Sequence, residues 1–497
     1  MSIAKKLLGQ TAAYGISSIV GRFLNYLLFP LHTAIFAPAA YGVLNTLYAY
    51  VGFLNVLFIL GLETAYFRYA NKPDADSQGI YNRVLSFLIL STTTLSGLII
   101  LFVSPIAAFM SLPNQKLNII WLAILLAVDA ITAIPFARLR LENKPIKFAG
   151  IKMGNILLTV LANLFFFWFC HGVYSGDFLP GLKPIVTKIY FPEWGIGYII
   201  LINLIANLLT IPMLWREFAS LRFKLDLSFM QPLLKYGYPI MLMGLAGMVN
   251  ELLDRILLPR LLPPNFYPNL TPAGAVGVYS GCYKLAMFMT LTIQAFRYAG
   301  EPFFFSQAQE KNSQTTFALV MKWFVLICTF IFLFVSLNLE DFKLLIRNPD
   351  YYQGLGVVPI LLMANLFLGI YYNLSAWFKL TDKTHFGTFI SFGGALITII
   401  LNIILIPRLG YMGCAWATLA CYFSMAAVCY LLGQKYYPIP YPLVSILAYL
   451  GLAVGLVILA ANIPVTDTIL RHAFHLGLCL AFLLVIWIVE KPRFIKL

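Results

Sequence analysis

Residues 385–406 read HFGTFISFGGALITIILNIILI, a run with no carboxylate, lysine or arginine in it. A helix of that length rises about 33 Å, enough to cross a hydrocarbon layer ~30 Å thick. The run lacks the apolar/polar alternation of period two that a lipid-exposed barrel strand needs, so it reads as a membrane-spanning helix. Stretches of the same kind recur on both sides of it, at about 11–36, 41–66, 84–109, 118–137, 148–170, 195–215, 236–258, 274–298, 315–338, 355–378, 411–433, 441–462 and 468–489. About fourteen spans are therefore expected, joined by connections too short for an independently folded extramembrane domain.

Composition agrees. The 497 residues are 61% hydrophobic and 11% charged, with mean hydropathy +0.85, against roughly 45–50% apolar and about 25% charged in soluble domains. A water-soluble globule is excluded. The formal charge of +15 does not point to nucleic acid, because no basic, aromatic-interleaved soluble module exists to bind it. It follows membrane topology instead. With the N-terminus cytoplasmic, 23 basic residues fall on the inner side and eight on the outer, so both termini are expected in the cytoplasm. Lys5 and Lys6 precede an apolar stretch that is too long for a cleaved leader and is interrupted by Arg22. It reads as a retained first helix. The seven cysteines form neither a CxxC nor a His-spaced set, so no disulfide framework or metal site is indicated.

A faint repeat divides the chain. FLNYLLFPL at 23–31 aligns with LLDRILLPR at 252–260, placing Pro30 on Pro259, and YGVL at 41–44 meets VGVY at 276–279. Six spans separate the matched segments, so both halves enter the membrane in the same direction and are related by an axis along the membrane normal. The expected fold is all-α and membrane-integral, with two six-helix lobes related by a pseudo-two-fold and two further C-terminal helices. In residues, this gives an N-lobe over 1–217, a linker over 218–234 expected to form an amphipathic surface helix, a C-lobe over 235–433, and the last two helices with a tail over 434–497.

Charges deep in a span cost several kcal/mol, so each calls for a partner, a wet cavity or a function. Arg22 lies midway along the first span and Asp129 midway along the fourth; Glu251, Asp254 and Arg255 cluster in the seventh, and Lys284 lies in the eighth. The i,i+4 spacing of Glu251 and Arg255 allows a pair on one face, leaving Asp254 as surplus charge with Lys284 as a plausible partner. Arg22 has no acid within a helical turn, and its guanidinium stays charged. Pairing with Asp129 or Glu63 would make it structural. Facing Lys284 or Arg255 across an aqueous cleft, it would attract an anion, above all a phosphate, which a guanidinium binds through two parallel hydrogen bonds.

Several strings together carry a family resemblance: LGLETAYFRY at 60–69, YG at 236–237 followed by LLDRILL at 252–258, VGVYSGCYKLA at 276–286, and LNIILIPRLGYMGCAWATLACY at 401–422. In order and spacing they resemble the polysaccharide-export flippases of the multidrug/oligosaccharidyl-lipid/polysaccharide (MOP) exporter superfamily, the Wzx-type O-antigen flippases. The resemblance implies a transporter in the bacterial cytoplasmic (inner) membrane that moves an undecaprenyl-diphosphate-linked oligosaccharide between leaflets by alternating access. Arg22, Lys284 and Arg255 would then line a cationic groove for the headgroup, while the prenyl tail stays in lipid. No cofactor is expected; membrane lipids and polysaccharide-assembly proteins are the expected partners. Relatives of the MurJ type hold a sodium ion between the seventh, eleventh and twelfth helices. The matching positions here are Asp254, Asn402 and Thr418, but Ile406 stands where those relatives carry a second acid. Coupling to a proton on Asp254 or Glu251, or to the membrane potential alone, is the alternative, and Asp129 is a further coupling-ion or charge-pair candidate. Other cargoes compatible with the resemblance are lipid II or, for an antiporter of the same superfamily, a drug exchanged for a cation. A membrane-embedded sugar transferase is disfavoured, because Asp74-Ala75-Asp76 follows Pro73 in a turn-like connection with no catalytic partner nearby.

Overall fold

The computed structural model describes residues 20–494 apart from Arg22, Asn25, Gln309, Lys311 and Pro464. Among these the only regular structure is helical. The first half runs α1 (Phe29–Ile35), α2 (Pro38–Ala70), α3 (Ser77–Leu101), α4 (Pro113–Leu141), α5 (Pro145–Ser175), α6 (Gly197–Met213) and α7 (Leu227–Leu261). The second runs α8 (Pro272–Leu285, continuing as Met287–Gln307), α9 (Ser313–Leu337), α10 (Val357–Leu380), α11 (His385–Leu409), α12 (Tyr411–Tyr436), α13 (Leu443–Asn462) and α14 (Thr468–Phe494).

Among the described residues ten helices are long and apolar enough to cross a membrane, or eleven with bent α8 taken as one span. The fourteen expected spans are not all met on that measure. The first falls largely outside the described residues, α6 is shorter than a full span, and α7, although 35 residues long, interrupts its apolar run with Asn250, Glu251, Asp254 and Arg255.

The chain packs as two compact units, Met1–Gly277 and Val278–Leu497, a division that falls within α8. In the first unit α4 is central, lying against α2, α3 and α6, while α7 runs along α2. α2 also meets the start of α8 at a close crossing. A Cβ on Gly42 would overlap the Ala273 carbonyl, and one on Gly277 would overlap that of Pro38. The two contacts exchange under the offset that maps YGVL onto VGVY. Only glycine lets these backbones approach so closely.

The linker departs from expectation. Helix begins only at Leu227, capped by Asp226, whose Oδ1 accepts from Phe229 N at 3.0 Å. Residues 221–226 form a non-helical strap tied to α3, with Arg222 N donating to Asn82 Oδ1 (3.1 Å) and Lys224 N to Ser86 Oγ (3.0 Å). The cause is legible in retrospect. Leu221, Phe223 and Leu225 alternate with Arg222, Lys224 and Asp226, a period of two that suits a straight chain and leaves a helix without an apolar face.

In the second unit α10 and α11 both pack on α12, and α9 contacts α10, α13 and α14. Lys322 of α9 is buried in an ion pair with Glu490 of α14. Glu490 also accepts from the Tyr449 hydroxyl of α13 at 2.7 Å. The last two helices are thereby fastened to α9.

Candidate functional site

The buried charges of α7 arrange themselves along the helix. Arg255 Nη1 donates to the Glu251 carbonyl oxygen at 2.6 Å and lies 3.3 Å from Asp254 Oδ1, which also accepts from Arg255 N at 2.8 Å. Asp254 and Arg255 are 4% and 8% exposed, whereas Glu251 is exposed. The expected side-chain pair between Glu251 and Arg255 is thus replaced by a bond to the Glu251 backbone. A helical side chain leans towards the N-terminus, which brings the guanidinium over the preceding turn. From α2, Thr46 Oγ1 reaches the Arg255 carbonyl oxygen at 3.4 Å.

Asp129 sits in a different setting, at a meeting of three helices. Its Oδ1 accepts from Asn207 Nδ2 of α6 at 2.9 Å, and Asn207 Oδ1 accepts from Asn155 Nδ2 of α5 at 2.8 Å. Lys152, one turn before Asn155, is near enough to act on Asp129 electrostatically, with its ammonium 4.1 Å from the Phe136 ring centre. One turn before Asn207, Asn203 donates to the Tyr48 hydroxyl of α2. Glu63, the other acid weighed for Arg22, is paired with Arg140. Asn155, Asn203, Asn207 and Lys152 were missed from sequence. The available signal was the i,i+4 pair of asparagines in the otherwise apolar 197–213 segment, which puts two amides on one face.

In the second unit Lys284 is half-buried in the last turn before the break in α8, where the axis bends by 53° between Leu285 and Met287. No proline or glycine marks that break. Asn402 of α11 is fully buried. Its Nδ2 donates to the Thr398 carbonyl oxygen at 2.8 Å, while its Oδ1 has no hydrogen-bond donor. Asn365 of α10 repeats this arrangement, with Nδ2 on Leu361 O and Oδ1 unmatched. Thr418 of α12 donates to the Cys414 carbonyl oxygen at 2.9 Å. Orphaned amide oxygens suit a hard cation, but the fully buried Ile406 supplies no carboxylate. Among the described residues no group of three His, Cys, Asp or Glu side chains is placed to hold a metal ion. Arg22 lies outside the described residues.

The fold has counterparts among solved structures. A lipid II flippase MurJ in an inward closed conformation superposes with TM-score 0.72 over 96% of this chain and 99% of that one, at 14% identity. The chain has the fold of that flippase. An inward-facing multidrug-resistance MATE transporter of the MOP superfamily shares this fold at TM-score 0.61 and 12% identity, over 83% of this chain and 93% of that one. The MATE multidrug transporter DinF-BH, solved as a complex, follows at 0.58 and 15%, over 88% and 97%. Residues 33–175, from α1 into α5, match a family model described as "Polysaccharide biosynthesis protein". No curated protein matches the chain in sequence.

Proposed function

We propose that the protein is a flippase that carries an undecaprenyl-diphosphate-linked oligosaccharide from the inner to the outer leaflet of the bacterial cytoplasmic membrane by alternating access. The observation that supports this reading most is the likeness to the lipid II flippase through nearly the whole of both chains. The polysaccharide-biosynthesis model over 33–175 favours a glycan cargo.

The chemistry such a task needs is cationic. A diphosphate is rejected by the bilayer core, and positive side chains in a hydrated groove offset that cost. Arg22 and Lys284 take this role here. Lys284 stands at a discontinuous helix, the element from which transporters build substrate sites. Arg255 shares its charge with Asp254 and contributes less. Asp254, Asn402 and Thr418 are the candidates for a coupling sodium ion, and Asp129 or Glu251 for a coupling proton. The protein acts as a transporter with no catalytic residue, in company with polysaccharide-assembly proteins.

The test is transfer in proteoliposomes, with a fluorescent undecaprenyl-diphosphate oligosaccharide, lipid II and a cationic dye as parallel cargoes. The reading expects oligosaccharide transfer that Arg22→Ala abolishes and that Lys284→Glu damages more than Lys284→Gln. Transfer of lipid II alone would reassign the cargo, dye movement alone would make the protein an antiporter, and transfer of none would overturn the flippase.

A further inference from the structure

The strap over 221–226 and the start of α3 border a cleft of 670 Å³ lined by Gln78, Asn82, Arg83, Ser220, Arg222 and Lys224, together with Asp76, Gly79 and Ala219. Four observations bear on what it takes.

First, the carboxylates at the cleft are already engaged. Asp76 Oδ1 caps α3 by accepting from Gly79 N at 2.8 Å. Asp226 accepts from the Ser228 hydroxyl at 2.7 Å and from Phe229 N, and its other oxygen lies 3.5 Å from Arg83 Nε. Second, Arg222 and Lys224 are exposed, and neither lies within ion-pair distance of a carboxylate among the described residues; Lys224 acts on Asp226 only at longer range. Third, the cleft is built. Two strap amides, those of Arg222 and Lys224, are bonded to α3, and Arg83 lies over the Phe229 ring at 4.5 Å. Fourth, the residues alternating with the cations are large, apolar and turned out: Phe223 is 60% exposed, Leu225 45% and Leu227 72%, with Trp215 at 68%.

A free anion would use the cations and leave the apolar ridge in water. A lipid surface uses both, because apolar side chains enter the acyl boundary while adjacent lysine and arginine meet phosphates. We propose that this cleft is a headgroup site for an anionic diacyl phospholipid of the adjoining leaflet, with Phe223, Leu225 and Leu227 inserted beside the bound lipid. The site lies wholly within the first unit and is independent of the identity of the transported cargo.

The experiment is native mass spectrometry of the full-length protein, titrated with phosphatidylglycerol and phosphatidylcholine of matched chains, with and without inorganic phosphate. Wild type retains phosphatidylglycerol in preference to phosphatidylcholine, and phosphate does not displace it. Neutralising Arg222→Gln and Lys224→Gln together lowers that preference by roughly fivefold per charge. The paired control, Lys183→Gln with Lys188→Gln in the 171–194 connection, removes the same charge and leaves the preference in place. Phe223→Ser with Leu225→Ser weakens retention of both lipids alike. The proposal is overturned if wild type shows no preference, if the control pair acts as strongly as the strap pair, or if phosphate competes the lipid away, which would make the cleft a site for a soluble anion.

Discussion

Two polar centres, one in each unit, the first half-buried and the second buried, solve the same electrostatic problem differently. In the second unit Lys322 and Glu490 neutralise each other, and Tyr449 occupies the remaining carboxylate oxygen. In the first, Asp129 is met by a neutral amide and a more distant ammonium across α4, α5 and α6. A closed pair has no vacancy for a moving ion and serves to hold helices together. Asp129 accepts from one neutral amide and has no ion pair among the described residues, which is why the proposed function makes it a candidate for coupling.

The sharpest way to break this comparison is to strand one partner of the closed pair. Glu490→Ala leaves the Lys322 ammonium buried alone and should lower stability by about 3–5 kcal/mol, seen as earlier thermal unfolding in detergent. Lys322→Met combined with Glu490→Leu should restore most of the loss; if the double variant is as unstable as the single, the pair does more than neutralise itself. Next in size is Asn207→Leu, which removes the hydrogen bonds to Asp129 Oδ1 and from the Asn155 amide; both groups are half-buried, so the loss should be about 1 kcal/mol for each bond, measured by the same melting. Asp129→Asn should change stability by less than about 1 kcal/mol, because a carboxamide oxygen can still accept from Asn207. Its effect belongs to transport, with the dependence of cargo transfer on pH or sodium weakened; unchanged ion dependence would make Asp129 a fastening group after all.

The smallest effect is at the surface. Hydrogen bonds from the Ser228 hydroxyl and the Phe229 amide, with Arg83 beside them, hold the Asp226 carboxyl below the usual carboxylate range. A depressed value means that its stabilisation is complete at neutral pH and is lost as pH falls through the folded-state value. The melting difference between wild type and Asp226→Ala should therefore be constant near pH 7 and shrink below about pH 4. A difference that grew on acidification would contradict the assigned hydrogen bonds.

The site was legible in part. The presence of Asp129, Asp254, Arg255 and Lys284 as charges in apolar helices needed only the sequence, because ionised groups are rare at membrane depth. Their partners did not follow. Arg255 turned to a backbone oxygen instead of the Glu251 carboxylate, and Asp129 found Asn207, which is 78 residues away. The 221–226 strap was misread as helix because charge content outweighed its two-residue alternation.

Local chemistry alone determined that this chain is helical and membrane-integral, since hydrocarbon compels each segment to satisfy its own backbone groups wherever its neighbours lie. Tertiary structure decided which helices meet: the reciprocal crossing at Gly42 and Gly277, the break in α8 beside Lys284, and the relay from Asp129 through Asn207 to Asn155. The reason is the solvent. In water a helix advertises its buried face by contrast with a polar one, whereas in lipid both faces are apolar, so the pairing of faces is settled by shape and by a few polar contacts between residues far apart in the chain.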